Sequence, residues 1–169
     1  MATKTYGFAR PLKYDDVKPG MLLSADNSGR RIIGLAFQGD REVLVAVIQQ
    51  AGDGAPLPYV IDLSDIHQSL TVIDGDRELE PLEGADFALL PQRRGLKDGF
   101  LITSDGTVGL AVSYNGFGSK AFKILDFATG LDLKHGGHTA ALPPARLFIR
   151  QDCKEQRREL CLRETTTQS

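Results

Sequence analysis

Displaced by 79 residues, the chain partly repeats itself: Phe8 to Asp26 (FARPLKYDDVKPGMLLSAD) lies without gaps over Phe87 to Asp105 (FALLPQRRGLKDGFLITSD). The identities are Phe8/Phe87, Ala9/Ala88, Lys18/Lys97, Gly20/Gly99, Leu22/Leu101 and Asp26/Asp105, with Val17/Leu96, Met21/Phe100, Leu23/Ile102 and Ser24/Thr103 similar. Past a hairpin loop of different length, Gly34-Leu35-Ala36 meets Gly109-Leu110-Ala111. Order, spacing and turn chemistry are kept together, so duplication of one unit is the expectation. Short apolar strands also mimic one another, and that is the competing account.

Both copies read as short strands joined by tight turns. In the first, Met21 to Ser24 and Arg31 to Phe37 flank the polar turn Asp26 to Gly29. Glu42 to Ile48 follows, its Val43, Val45 and Val47 alternating as a strand buried on one face does. Tyr59 to Ile61, a turn at Asp62 to Ile66 and a last strand Ser69 to Ile73 complete it. In the second, Phe100 to Thr103 and Thr107 to Ser113 are joined through Asp105-Gly106, a strong hairpin signal because both positions tolerate positive φ. Lys120 to Leu125, a Gly-rich loop Thr129 to Thr139, a Pro143-Pro144-Ala145 turn and a final strand Arg146 to Arg150 follow.

Units of roughly 75 residues with about five strands and no room for a crossover helix suit small antiparallel barrels. The expected fold is therefore mostly β: two tandem small antiparallel β-barrels, Tudor-like in architecture, with a short C-terminal helix or edge strand. The expected organisation is a first repeat over 1–76, an acidic linker over 77–86, a second repeat over 87–151 and a charged tail over 152–169. In the tail, Cys153, Leu160 and Cys161 would face inward on a helix; an edge strand at Glu159 to Arg163 is the alternative.

Composition bounds the function. The 169 residues carry 20 Lys and Arg against 22 Asp and Glu, a formal charge of −2, so no global positive field draws the chain to nucleic acid or an anionic membrane. Met1 to Tyr14 contains no apolar run of signal-peptide length, and no stretch reaches membrane-spanning length, so a cytoplasmic setting is expected. The two cysteines, Cys153 and Cys161, fit neither a disulfide framework nor paired CxxC zinc ligation.

Three local motifs invite chemical readings. His135-Gly136-Gly137-His138, with Asp126 and Asp132 upstream, could ligate a divalent metal if the loop folded back; the plainer account is two exposed histidines near a hairpin tip. Ser64, Asp65 and His67 lie too close together for a hydrolytic triad, which draws on distant positions, and fit a capped turn. Asn115 to Lys120 has the glycines of a phosphate loop but places Ser119 before Lys120 and leads into a strand, so a hairpin turn explains it. No cofactor is implied, and no paired carboxylates point to acid/base catalysis.

A non-enzymatic binding module is the leading class, its contacts drawn from loops and from the seam between the repeats. Candidate aromatics are Tyr14, Phe37 and Tyr59 in the first copy and Tyr114, Phe117 and Phe127 in the second, with Lys120 beside Phe117; core packing competes for each. A protein or peptide is the first partner expected. Nucleic acid is the alternative, through Arg93, Arg94 and Lys97 together with Arg146, Arg150, Lys154, Arg157 and Arg158, although the glutamates of the tail would oppose it; an acidic peptide or partner protein fits the same cluster equally. Two other classes stand beside these: self-assembly of copies through exposed strand edges, and a small metal-dependent enzyme on His135 and His138.

Overall fold

The computed structural model describes residues 9–52, 54–66, 68–81, 88–89, 98–103, 105–116, 118–133, 139–141, 145–150 and 156–162. They form three antiparallel sheets and two single 3₁₀ turns.

The first sheet has the spatial order β1-β6-β2-β3-β4-β5, from β1 (Ala9–Pro11), β2 (Leu22–Asn27), β3 (Arg30–Gln38), β4 (Val43–Gln50), β5 (Tyr59–Asp62) and β6 (Gln68–Ile73). Its central strands are buried on both faces. Along β4, Val45 and Val47 face one core while Leu44, Ala46 and Ile48 face another. The valine alternation thus marks one buried face where the sequence led to an expectation of only one; alanine and the longer aliphatics between the valines hide the second. One core encloses Leu23, Ala25, Ile32, Ala36, Val45, Val47, Leu70 and Val72, and is closed by Val17 and Ile66 from the 3₁₀ turns Tyr14–Asp16 and Leu63–Asp65.

The second sheet has the order β11-β10-β9-β12-β8, from β8 (Ala88–Leu89), β9 (Gly99–Thr103), β10 (Val108–Asn115), β11 (Lys120–Asp126) and β12 (Thr139–Ala141). The third is β14-β13-β7: β7 (Asp76–Pro81), β13 (Ala145–Arg150) and β14 (Arg157–Leu160). All three sheets contribute to the larger core. Leu22, Leu35 and Phe37 come from the first, Leu110, Val112, Tyr114, Leu125 and Phe127 from the second, and Leu147, Ile149 and Leu160 from the third. Phe37 meets Tyr114 edge-on at 5.5 Å between ring centroids, and Phe100 meets Phe127 at 5.0 Å, arrangements that suit the ring quadrupoles.

Several expectations give way here. Closed barrels are not found among the described residues: the strand order of each sheet ends in two edges. Burial on both faces of the first sheet does the work that closure was expected to do. The final strand expected for the second repeat, β13, belongs to the third sheet and not to the second. Its partner β7 occupies the first part of the expected linker, six consecutive residue pairs joining Ala145 opposite Pro81 to Arg150 opposite Asp76. The tail takes the strand alternative, at Arg157–Leu160.

The two larger sheets share a strand order. β12 lies between β8 and β9 as β6 lies between β1 and β2, and β10 and β11 continue outward as β3 and β4 do. Residue correspondence is less simple. Leu22 faces the large core, but the residue that takes this place in β9 is Phe100, opposite Leu110. Leu101 stands opposite Gly109, on the other face. A gapless displacement of 79 residues is therefore one residue out of register at β9, and a slip of one residue inverts every side chain. The Leu35/Leu110 match does keep its face, both side chains lying in the large core.

Candidate functional site

Two of the concavities among the described residues bear on function. The first is a cleft of about 360 Å³ where the three sheets meet, lined by Lys18, Gly20, Met21, Asp74, Arg77 and Thr129 among others. Arg77 is directed here because it occupies the inward face of β7 together with Leu79. Its Nη1 donates to the Phe127 carbonyl at 2.6 Å and, more distantly, to that of Ala128 at 3.4 Å, while Nη2 donates to the Gly20 carbonyl. The guanidinium also lies 5.7 Å from the centre of the Phe127 ring. Burial lowers the Arg77 pKa, and the Asp126 carboxylate partly restores it. One cation thus ties β7 to both larger sheets, and its donors are engaged by the chain itself. This seam cleft is built as a joint.

The second concavity is an open groove of about 470 Å³ lined by Tyr14, Asp15, Leu63 and Ser64, between the two 3₁₀ turns. Each turn is pinned from below. After β1 ends at Pro11, the Leu12 amide donates to the Leu70 carbonyl at 3.1 Å, and the turn closes with the Val17 amide on the Tyr14 carbonyl at 3.2 Å. Val17 is buried in the smaller core, so the turn presents Tyr14 outward, 40% exposed. Leu63–Asp65 closes likewise, with the Ile66 amide on the Leu63 carbonyl at 3.1 Å and Ile66 fully buried. Leu63 packs against the same core from its rim. The groove therefore has an aromatic and aliphatic floor held on a rigid base.

Its rim is acidic. Asp15 lines it, and Asp16, Asp62 and Asp65 flank the lining residues along the chain, all of them exposed. Among the described residues none of these four carboxylates has an ion-pair partner. Lys13 and Lys18, also exposed, are the neighbouring cations in sequence.

The residues expected to bind are dispersed. Tyr14 lies in the groove. Tyr59 is half-buried against the smaller core, its hydroxyl donating to Gln50 Oε1 at 3.0 Å; burial raises its pKa, opposed by Arg30 and Asn27. Tyr114 is corrected from contact residue to core residue: it is 6% exposed, packed on Phe37, with its pKa raised by burial and by nearby Asp40. Phe37 and Phe127 are core as well. Lys120 is exposed at the start of β11. Arg93, Arg94, Lys97, Phe117, His135 and His138 lie outside the described residues.

Arg146 and Arg150 do share a surface, the outer face of the third sheet, where acidic residues meet them. Arg150 Nε lies 2.9 Å from Glu78 Oε1, Arg157 bridges Glu78 and Glu80, and Arg146 Nε lies 3.8 Å from Glu159 Oε1. Arg157 crosses β13 to make its contacts, with its guanidinium 3.9 Å from the centre of the Phe148 ring. The Arg150 hydrogen bond, then Arg157, holds Glu78 below the ordinary carboxylate range, and Glu80 foremost raises Arg157. Arg150 and Arg157 of the basic cluster visible in sequence are thus met by Glu78 and Glu80 of the acidic strand β7, a pairing that sequence distance concealed, and Arg146 by Glu159 of β14.

Among the described residues no group of three or more His, Cys, Asp or Glu could hold a metal, and no helix is long and apolar enough to cross a membrane. No family model, curated protein or solved structure matches the chain.

Proposed function

We propose that the chain is a non-enzymatic, cytoplasmic interaction module that binds a segment of a partner protein in the groove between the 3₁₀ turns. The observation that carries this reading is Tyr14: a large aromatic left 40% exposed on a turn whose neighbours are anchored in the core. Rigidly presented aromatics at a concave surface are what peptide recognition uses, because little conformational entropy is lost on binding. Within this reading the two larger sheets descend from one duplicated small-barrel unit of Tudor-like type, their common strand order supporting it and the register slip at β9 marking later divergence.

Selection of displayed peptides on the full chain, followed by hydrogen-exchange footprinting of the complexes, tests the reading. Protection is expected over Leu12 to Val17 and Asp62 to Ile66. Binders that protect only the third sheet, or a selection that yields none, would overturn it.

A second reading, self-assembly, is favoured by a different surface. Phe122 and Leu131 are 45% and 62% exposed on and beside β11, an edge strand of the second sheet. Light scattering across a concentration series decides it: Phe122→Ser abolishing a stable oligomer supports assembly through this edge, and a monomer throughout removes it.

A further inference from the structure

We infer that the groove's partner segment is cationic: a stretch of another protein's chain with Lys or Arg beside an aliphatic residue. The inference rests on the groove reading and deepens it. The floor offers the Tyr14 ring, whose π-face attracts a cation, and the Leu63 side chain, which suits the stem of a long basic residue or its aliphatic neighbour. The rim offers Asp15 and, adjoining the lining residues, Asp16, Asp62 and Asp65, carboxylates without ion-pair partners among the described residues. Elsewhere Glu78, Glu80 and Glu159 are paired with arginines and Asp132 with Lys123, while Asp26, Glu42 and Asp76, which have no ion-pair partner among the described residues, lie apart, in β2, just before β4 and in β7. Four carboxylates against the neighbouring Lys13 and Lys18 leave an excess of negative charge beside an apolar groove that presents an exposed aromatic. An anionic or nucleic-acid ligand would meet repulsion there, whereas a basic segment gains both steering and contact.

The test uses the full chain and two fluorescein-labelled twelve-residue peptides, one alternating Arg and Leu, the other alternating Glu and Leu, read by anisotropy at low and high salt. The Arg/Leu peptide is expected to bind, to weaken with salt, and to lose about tenfold in affinity with Tyr14→Ala and again with Asp15→Asn combined with Asp65→Asn. Asp132→Asn combined with Glu42→Gln, which removes two charges away from the groove, is expected to change binding less than twofold. Equal weakening by that pair would overturn the inference, since attraction would then be general and not local. Tyr14-dependent binding of the Glu/Leu peptide alone would overturn the cationic partner while leaving the groove reading intact. Binding of neither peptide that responds to Tyr14→Ala would overturn both. Unchanged unfolding midpoints for the variants establish that lost binding is not lost folding.

Discussion

At the scale of single residues, the joint between sheets depends on two positions whose importance comes from what they touch. Gly20 has φ +97°, and a Cβ placed on it would collide with the carbonyl of Thr129; Gly130, at φ +70°, would collide with Gly20 itself. The two backbones meet with no room for side chains. Gly29 has φ +82° but faces open space. Gly20→Ala is therefore expected to cost about 3 kcal/mol or more, combining strain with overlap against backbone, while Gly29→Ala costs about 1 kcal/mol from strain alone. Denaturant midpoints of the two variants check this ordering, and similar losses would show that the close approach is unimportant. Arg77→Met keeps length but removes the donors to Gly20 and Phe127, leaving carbonyls that the fold has taken from water. A loss of about 2–4 kcal/mol in chemical unfolding is expected. Glycine at position 20 was visible in the sequence only as half of a matched pair with Gly99, whose Cβ would meet nothing. Matching residues do not reveal which of two matched positions carries the contact.

At the scale of elements, β7 shows how composition can hide a strand. DRELEP is acidic and ends in proline, which reads as linker, yet Arg77 and Leu79 alternate with Asp76, Glu78 and Glu80 in the period-two pattern of a strand. The outward acids are tolerated because Arg150 and Arg157, more than 70 residues away in sequence, arrive opposite them. No local window contains that information. The hairpins were legible for the opposite reason: Asp105-Gly106 and Ser28-Gly29 are followed at once by their own partner strands. The third sheet's charge ladder also sets a pH dependence. Glu78 has a folded pKa below its unfolded value, so its stabilising contribution is complete above the ordinary carboxylate range and is lost as pH falls through the depressed value. Asp105, lowered foremost by the Thr103 hydroxyl, has the same sign. Thermal midpoints are expected to fall as pH drops below about 5, and Glu78→Gln to flatten that fall without removing the part due to Asp105. An identical slope in wild type and Glu78→Gln would show the ladder to be without consequence.

At the scale of the whole molecule, the duplication expected from the sequence implies two units, whereas the packing implies one cooperative body. Leu35 and Phe37 of the first sheet, Leu110 and Tyr114 of the second, and Leu147 and Ile149 of the third lie in the same core. Gln49 Nε2 donates to the Leu160 carbonyl at 2.8 Å, and Lys123 Nζ to the Gln38 carbonyl at 2.9 Å, so polar ties cross the same boundaries. Neither half could expose its share of this core to water without losing about 1.5–3 kcal/mol for each large side chain. Heat is accordingly expected to unfold the chain in a single transition. Leu110→Ala, at a fully buried position of the second sheet, should lower that transition by about 2–5 kcal/mol. It should also raise hydrogen exchange in β3 and β4, which belong to the first. Two resolved transitions, with β3 and β4 still protected when Leu110→Ala has unfolded the second sheet, would instead make the two larger sheets independent folding units. The strand order shared by the two larger sheets would then mark units of folding as well as of topology.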